Sequence, residues 1–99
     1  MTPEGKVLDR IVAKLRALQR AGAKLWYIKL HGGPMQRAGL PDLHVCYEGR
    51  PLYLEVKSPV GKTTPLQDHT LSAIGHAGGT VAVVRSVEDV MEVLHDPTH

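Results

Sequence analysis

Leu40-Pro41-Asp42-Leu43-His44-Val45-Cys46-Tyr47-Glu48-Gly49-Arg50-Pro51-Leu52-Tyr53-Leu54-Glu55-Val56-Lys57 reads at period two as a β-hairpin. In the first arm Leu43, Val45 and Tyr47 point to one side, and Asp42, His44 and Cys46 to the other. In the second arm Leu52, Leu54 and Val56 form the apolar side, with Tyr53, Glu55 and Lys57 opposite. Glu48-Gly49 makes a two-residue turn, Gly49 supplying a positive φ. That loop pairs Tyr47 with Arg50, Val45 with Leu52, Leu43 with Leu54 and Asp42 with Glu55. A three-residue loop would set Asp42 against Val56 and scramble the faces, so polarity selects the register.

The consequence is chemical. Opposed Cβ atoms lie roughly 4.5–5.5 Å apart, which lets two carboxylates share one cation. Without a cation or a proton between them they repel. Lys57 adds a positive charge on the same face. Carboxylate oxygens are hard ligands that suit Mg²⁺ or Mn²⁺, and Mg²⁺ takes few protein ligands beside water and phosphate. An Asp…Glu-x-Lys set therefore suits metal-dependent phosphodiester hydrolysis, the lysine positioning the attacking water or stabilising developing charge. Taken singly the pieces are ordinary: Glu-x-Lys is common on solvated strands, and Pro-Asp is usual turn chemistry. Their opposition across one hairpin is more specific.

Around the hairpin, 99 residues that are 42% hydrophobic make one compact domain, residues 1–99, with no internal repeat. No apolar run approaches the ~20 residues of a membrane span, and no signal-peptide pattern opens the chain, so a cytoplasmic location is expected. A lone cysteine, Cys46, excludes an intramolecular disulfide and suits a reducing compartment. A net charge of +2 does not by itself point to a nucleic-acid partner. The cations are uneven, however: Lys24, Lys29, Arg37, Arg50, Lys57 and Lys62 cluster around the hairpin.

The first segment is a helix. Thr2 caps it, Pro3 suits its first position, and Val7, Leu8, Ile11, Val12, Leu15 and Leu18 form its apolar stripe. Lys6, Arg10, Lys14, Arg16 and Arg20 take the wet side, and Gly22 ends it. Glu4 either complements the helix dipole or reaches the hairpin as a third carboxylate. Lys24 to Leu30 alternates as a strand, broken by His31-Gly32-Gly33-Pro34 and a loop carrying Met35, Gln36, Arg37 and Ala38. An arginine in such a loop is either solvated or, beside a metal site, a phosphate contact. His-Gly-Gly is not an esterase oxyanion loop here, because no Gly-x-Ser-x-Gly elbow accompanies it.

Gly61-Lys62-Thr63 is not a phosphate-binding loop either, since the required upstream glycine is Val56. Lys62 is left as a solvated loop residue or a phosphate contact. Thr64-Pro65-Leu66-Gln67 opens a second helix as a capping box, which accounts for Gln67 unless it also faces the site. Gly78-Gly79 ends that helix, and residues 80–84 read as a buried strand. Ser86 then caps a last helix with Val87, Val90, Met91 and Leu94 at helical spacing. The six histidines show no zinc-ligand spacing. The predicted order is α-β-β-β-α-β-α.

Gly39-Leu40-Pro41-Asp42, Leu54-Glu55-Val56-Lys57, Pro65-Leu66-Gln67, and Gly78-Gly79 before Val83-Val84-Arg85-Ser86 occur in that order. Together they resemble the virus-type replication-repair nuclease (VRR-NUC) family of the PD-(D/E)xK nuclease superfamily, from Glu4 to the last helix. The resemblance implies an α/β fold with a PD-(D/E)xK restriction-endonuclease-like core, a mixed sheet flanked by helices. It implies metal ligation by Asp42, Glu55 and the carbonyl of Val56, with Lys57 as the catalytic lysine. It further implies a metal-site role for Glu4 and a catalytic one for Gln67. Lys29, His31, Gln36, Arg37 and Lys62 become the expected DNA contacts. The family's arginine pair is here Arg85-Ser86, a departure at its second position.

The implied activity is a Mg²⁺- or Mn²⁺-dependent DNA endonuclease, resembling junction-resolving enzymes that act on branched replication, recombination or repair intermediates. It needs no nucleotide cofactor. Stand-alone phage and bacterial members of the family suggest a homodimer, since cutting both strands of a symmetric junction takes two sites about a twofold axis. Three alternatives stand beside it. One is a catalytically silent DNA-binding module that recruits a partner, and another a restriction-like duplex endonuclease. The last is an interaction module whose hairpin charges form only a solvated face. The duplex enzyme is disfavoured by the lack of an identifiable base-reading element.

Overall fold

Burying the alternating apolar side of the hairpin requires helices on that side, and the topology supplies them. The computed structural model describes residues 1–30 and 38–96. Its elements are α1 (Pro3–Arg20), β1 (Leu25–Lys29), β2 (Leu43–Tyr47), β3 (Arg50–Val56), α2 (Pro65–His76), β4 (Thr80–Val84) and α3 (Val87–His95). This is the expected α-β-β-β-α-β-α order, an α/β fold. The strands form one mixed sheet in the order β1-β2-β3-β4, antiparallel except for the β3–β4 pair. None of the described helices is long and apolar enough to cross a membrane.

The β2–β3 register matches the expectation residue for residue, with Leu43 on Leu54, Val45 on Leu52 and Tyr47 on Arg50. Glu48 and Gly49 both have positive φ, 49° and 82°, the backbone of a type I′ turn whose twist matches the strands it joins. Leu43, Val45, Leu52, Leu54 and Val56 pack with Val84 against Val7, Ile11 and Leu15 of α1 and Val90, Val93 and Leu94 of α3. The helix starts are those read from the residues. Thr2 accepts from the Gly5 N–H, Thr64 and Gln67 close a reciprocal capping box, and Ser86 caps α3.

The opposite side of the sheet is covered unevenly. α2 lies over β4, with Val81 against Gly75 and Ile74 against Gly79. On that side no described helix lies over the β1–β2 half, and Trp26 and Ile28 are 56% and 43% exposed. The strand at 80–84 is accordingly less buried than its apolar run suggests: Val84 is fully buried but Val83 is 37% exposed. The reason is position. β4 is an edge strand, and a two-sided apolar sequence does not report how far its covering helix extends.

One glycine links the layers next to Asp42. Gly39 has φ +82°, and a Cβ there would sit 2.7 Å from Leu66 Cγ in the first turn of α2. The segment 39–42 can thus lie against α2 only without a side chain at 39. Gly39→Ala is expected to destabilise the protein by about 1–3 kcal/mol through strain and overpacking, read as a lowered urea midpoint at unchanged slope.

Candidate active site

Asp42 sits one residue before β2, at the position that continues the ladder opposite Glu55. Two backbone bonds fix it there. Its carbonyl accepts from the Leu30 N–H at 2.9 Å, extending the β1 pairing. Its carboxylate Oδ2 accepts from the Val56 N–H at 2.8 Å. The next amide along the chain, Lys57 N–H just past β3, turns the other way to Val84 O at 3.0 Å. By strand alternation the peptide edge of Val56 therefore faces Asp42, carrying the Val56 carbonyl to the same side.

Glu55 is the unusual member. It is only 1% exposed, and among the described residues neither carboxylate oxygen has a hydrogen-bond donor. The cation beside it is Lys57 Nζ, 3.5 Å from Oε2, an ion pair too long to count as a good hydrogen bond. Lys57 is itself buried, and its ammonium also lies 3.4 Å from Glu4 Oε1. Glu4 reaches the sheet from the first turn of α1, the placement that its spacing left open. Two carboxylates thus flank one ammonium, and with Asp42 beside Glu55 negative charge is in excess in a partly dry place.

The titration behaviour follows. Burial pushes the Glu55 carboxyl up, and the neighbouring Asp42 charge pushes it further, against the pull of Lys57, from an ordinary value of 4.5 to about 7. Asp42 is raised as well, chiefly by burial, with the Val56 N–H opposing. When one of the pair holds a proton it can be shared between them. When neither does, both are unsatisfied, which is the condition a hard divalent cation relieves. Among the described residues no group of three or more His, Cys, Asp and Glu comes together as a cage. Asp42 and Glu55 with the Val56 carbonyl form a smaller set, and Glu4 engages Lys57.

Of the remaining expected site residues, those described are placed less centrally. Gln67 spends Oε1 on the Thr64 N–H at 2.9 Å, so the structure gives it the capping role. Lys29 ends β1 opposite Leu43, on the α1 side of the sheet and not the carboxylate side. Lys62 is exposed on the loop after β3. His31, Gln36 and Arg37 lie outside the described residues. His44, on the carboxylate side, packs edge-on against Tyr53 at 5.0 Å.

Arg85 contributes more than the sequence suggested. Its Nη1 donates to Ser58 O and Gly61 O, both at 2.6 Å, and its N–H donates to Asp89 Oδ2 at 2.8 Å. The turn that begins one residue after Lys57 is thereby tied to the β4–α3 junction. Spacing could not reveal this, because the partners are backbone carbonyls more than twenty residues away.

Taken together, the mixed sheet and its opposed carboxylates beside a buried lysine belong to a nuclease-type domain. A solved structure described as "VRR_NUC domain" superimposes with a TM-score of 0.75 at 27% identity, covering 98% of this chain and 99% of that one. The chain therefore has the VRR-NUC fold, and the resemblance carried by its motifs is supported over nearly its whole length. No family model and no curated protein matches the chain.

The raised carboxyls make stability depend on pH with a definite sign. Between 4.5 and about 7 the folded state keeps a proton that the unfolded chain has released. This contribution is therefore full below that interval and is lost as pH rises through it. In EDTA, Glu55→Gln is expected to flatten the fall in melting temperature over the interval and to exceed wild type above it. A wild-type melting temperature with the same pH slope as the variant would contradict the placement.

Proposed function

We propose that the protein is a Mg²⁺- or Mn²⁺-dependent DNA endonuclease acting on branched replication, recombination or repair intermediates. The observation that carries this reading is the Asp42–Glu55 pair, with both Glu55 oxygens buried beside the Lys57 ammonium and without a donor among the described residues. Asp42, Glu55 and the Val56 carbonyl would hold the cation, with Glu4 assisting directly or through water. A bound divalent ion supplies Lewis acidity toward a phosphate oxygen and lowers the pKa of coordinated water.

The chain's own residues do the rest. The Val56 N–H holds the Asp42 carboxylate so that it need not reorganise on binding. Glu4 and Glu55 hold the Lys57 ammonium between them. From there Lys57 positions the attacking water and offers positive charge to the phosphorane-like transition state. Arg85 keeps the strand exit beyond Lys57 in place. Lys29, Arg37 and Lys62 are the proposed phosphate contacts, with His31 and Gln36 as further proposed DNA contacts and Gln67 as a supporting residue from α2. A twofold pair of chains, in the cytoplasm where DNA is accessible, would cut both strands of a symmetric junction.

Labelled four-way junction, flap, splayed-arm and linear duplex DNA, each with Mg²⁺, Mn²⁺ or EDTA, test the proposal. Wild type is expected to cut a branched substrate only with metal. Lys57→Ala is expected to lower the rate by about 10²–10³ while DNA binding survives. Cutting in EDTA, or no cutting of any substrate by wild type, would overturn the reading. Preference for linear duplex would replace the junction enzyme by a restriction-like one.

A further inference from the structure

A cavity of about 490 Å³ lies between the start of α1, the turn after β3 and the start of α3. Its cationic wall is Lys6 and Arg10, one helical turn apart on α1, with Arg85 across from them. Its nonpolar wall includes Pro3, Pro59 and Val87. Chain connectivity sets the cavity beside the candidate active site: Pro3 precedes Glu4, and Pro59 follows Lys57 by two residues, and Glu4 and Lys57 are themselves paired at 3.4 Å.

Lys6 and Arg10 make no ion pair or side-chain hydrogen bond among the described residues. Like charges at this spacing repel, so an anion between them is favoured. Arg85 uses Nη1 on the turn carbonyls, and among the described residues no bond occupies its other guanidinium nitrogens. Glu88 also lines the cavity, so three cations face one carboxylate there. The volume is larger than a phosphate needs and falls in the range of a small organic ligand, roughly 300–1,000 Å³. Cations beside nonpolar walls suit a nucleotide, its phosphate on the cations and its sugar and base against the prolines and Val87. A paired, stacked base cannot present itself in this way.

We infer that this cavity is a subsite for one unpaired nucleotide of the substrate strand, bound by Lys6 and Arg10 next to the reacting phosphate. The inference rests on the nuclease reading above and deepens it. It gives the enzyme a means of choosing branched DNA, since only a strand with unpaired nucleotides fills the cavity. Lys6 and Arg10 then act as specificity-determining residues and not simply as the wet side of a helix.

The test compares K6A/R10A with R16A/R20A, which removes two exposed α1 charges at the same spacing, outside the cavity. Binding of splayed-arm and blunt duplex DNA is followed by fluorescence anisotropy in EDTA over a salt series, with melting temperature as the control for folding. K6A/R10A is expected to weaken splayed-arm binding about tenfold and to make its log–log salt slope shallower by about 0.7–1.4. R16A/R20A, and blunt duplex with either variant, are expected to change little. Equal losses for the two variants, or equal losses on both DNAs, would overturn the subsite. Wild-type cutting with metal and unchanged splayed-arm binding by K6A/R10A would overturn the subsite while keeping the nuclease. Selective loss of binding without any wild-type cutting would do the reverse.

Discussion

The opposition of Asp42 and Glu55 is the constraint on which the rest depends. A hairpin register with Tyr47 on Arg50 brings the two carboxylates together, and the Val56 N–H holds Asp42 in place at 2.8 Å. The opposition itself does not favour the metal-free protein, because like charges in a partly buried place repel and Glu55 has no donor among the described residues. Offsetting that cost is an apolar sandwich in which Leu43, Leu54, Val56 and Val84 are fully buried under α1 and α3. The site is thus placed on strands that the core packs, as a reaction that depends on positioning requires.

Lys57 joins the two halves of this arrangement. It follows Glu55 by two residues and so shares its side of the sheet, and it also meets Glu4 from α1. α1 consequently has two duties: its buried stripe closes the core, and its first turn delivers a carboxylate. The same turn carries Lys6 and leads to Arg10, so Glu4 and the cationic wall of the proposed nucleotide subsite are carried by one element. Arg85 fastens the other side by holding the turn after Lys57 to the start of α3. Three chain segments far apart in sequence are thus fixed about one lysine.

Much of this was legible in the residues. Alternation and Glu48-Gly49 were enough for the hairpin and its register, because a shift of one residue would expose Leu43 and Leu54. Thr2, Thr64 and Ser86 marked the helix starts through local bonds, which sequence patterns report well. Burial on the polar side was not legible. Glu55 and Lys57 alternate like solvated strand residues, and only tertiary neighbours make them 1% and 7% exposed. The edge position of β4, the Arg85 bonds to distant carbonyls and the cavity between α1 and α3 were hidden for the same reason. Gln67 shows the converse, since its capping box was read correctly and its placement at the site was read from resemblance.

Titration calorimetry with Mn²⁺ tests most directly whether the opposed carboxylates are a cation site. Wild type is expected to bind Mn²⁺ with release of protons when the buffer lies below the raised Glu55 pKa of about 7, and with less release above it. The double variant Asp42→Asn/Glu55→Gln, folded by its melting curve, is expected to lose the binding. Mn²⁺ binding by that variant at wild-type strength, or no binding by wild type, would show that the pair is not the cation site.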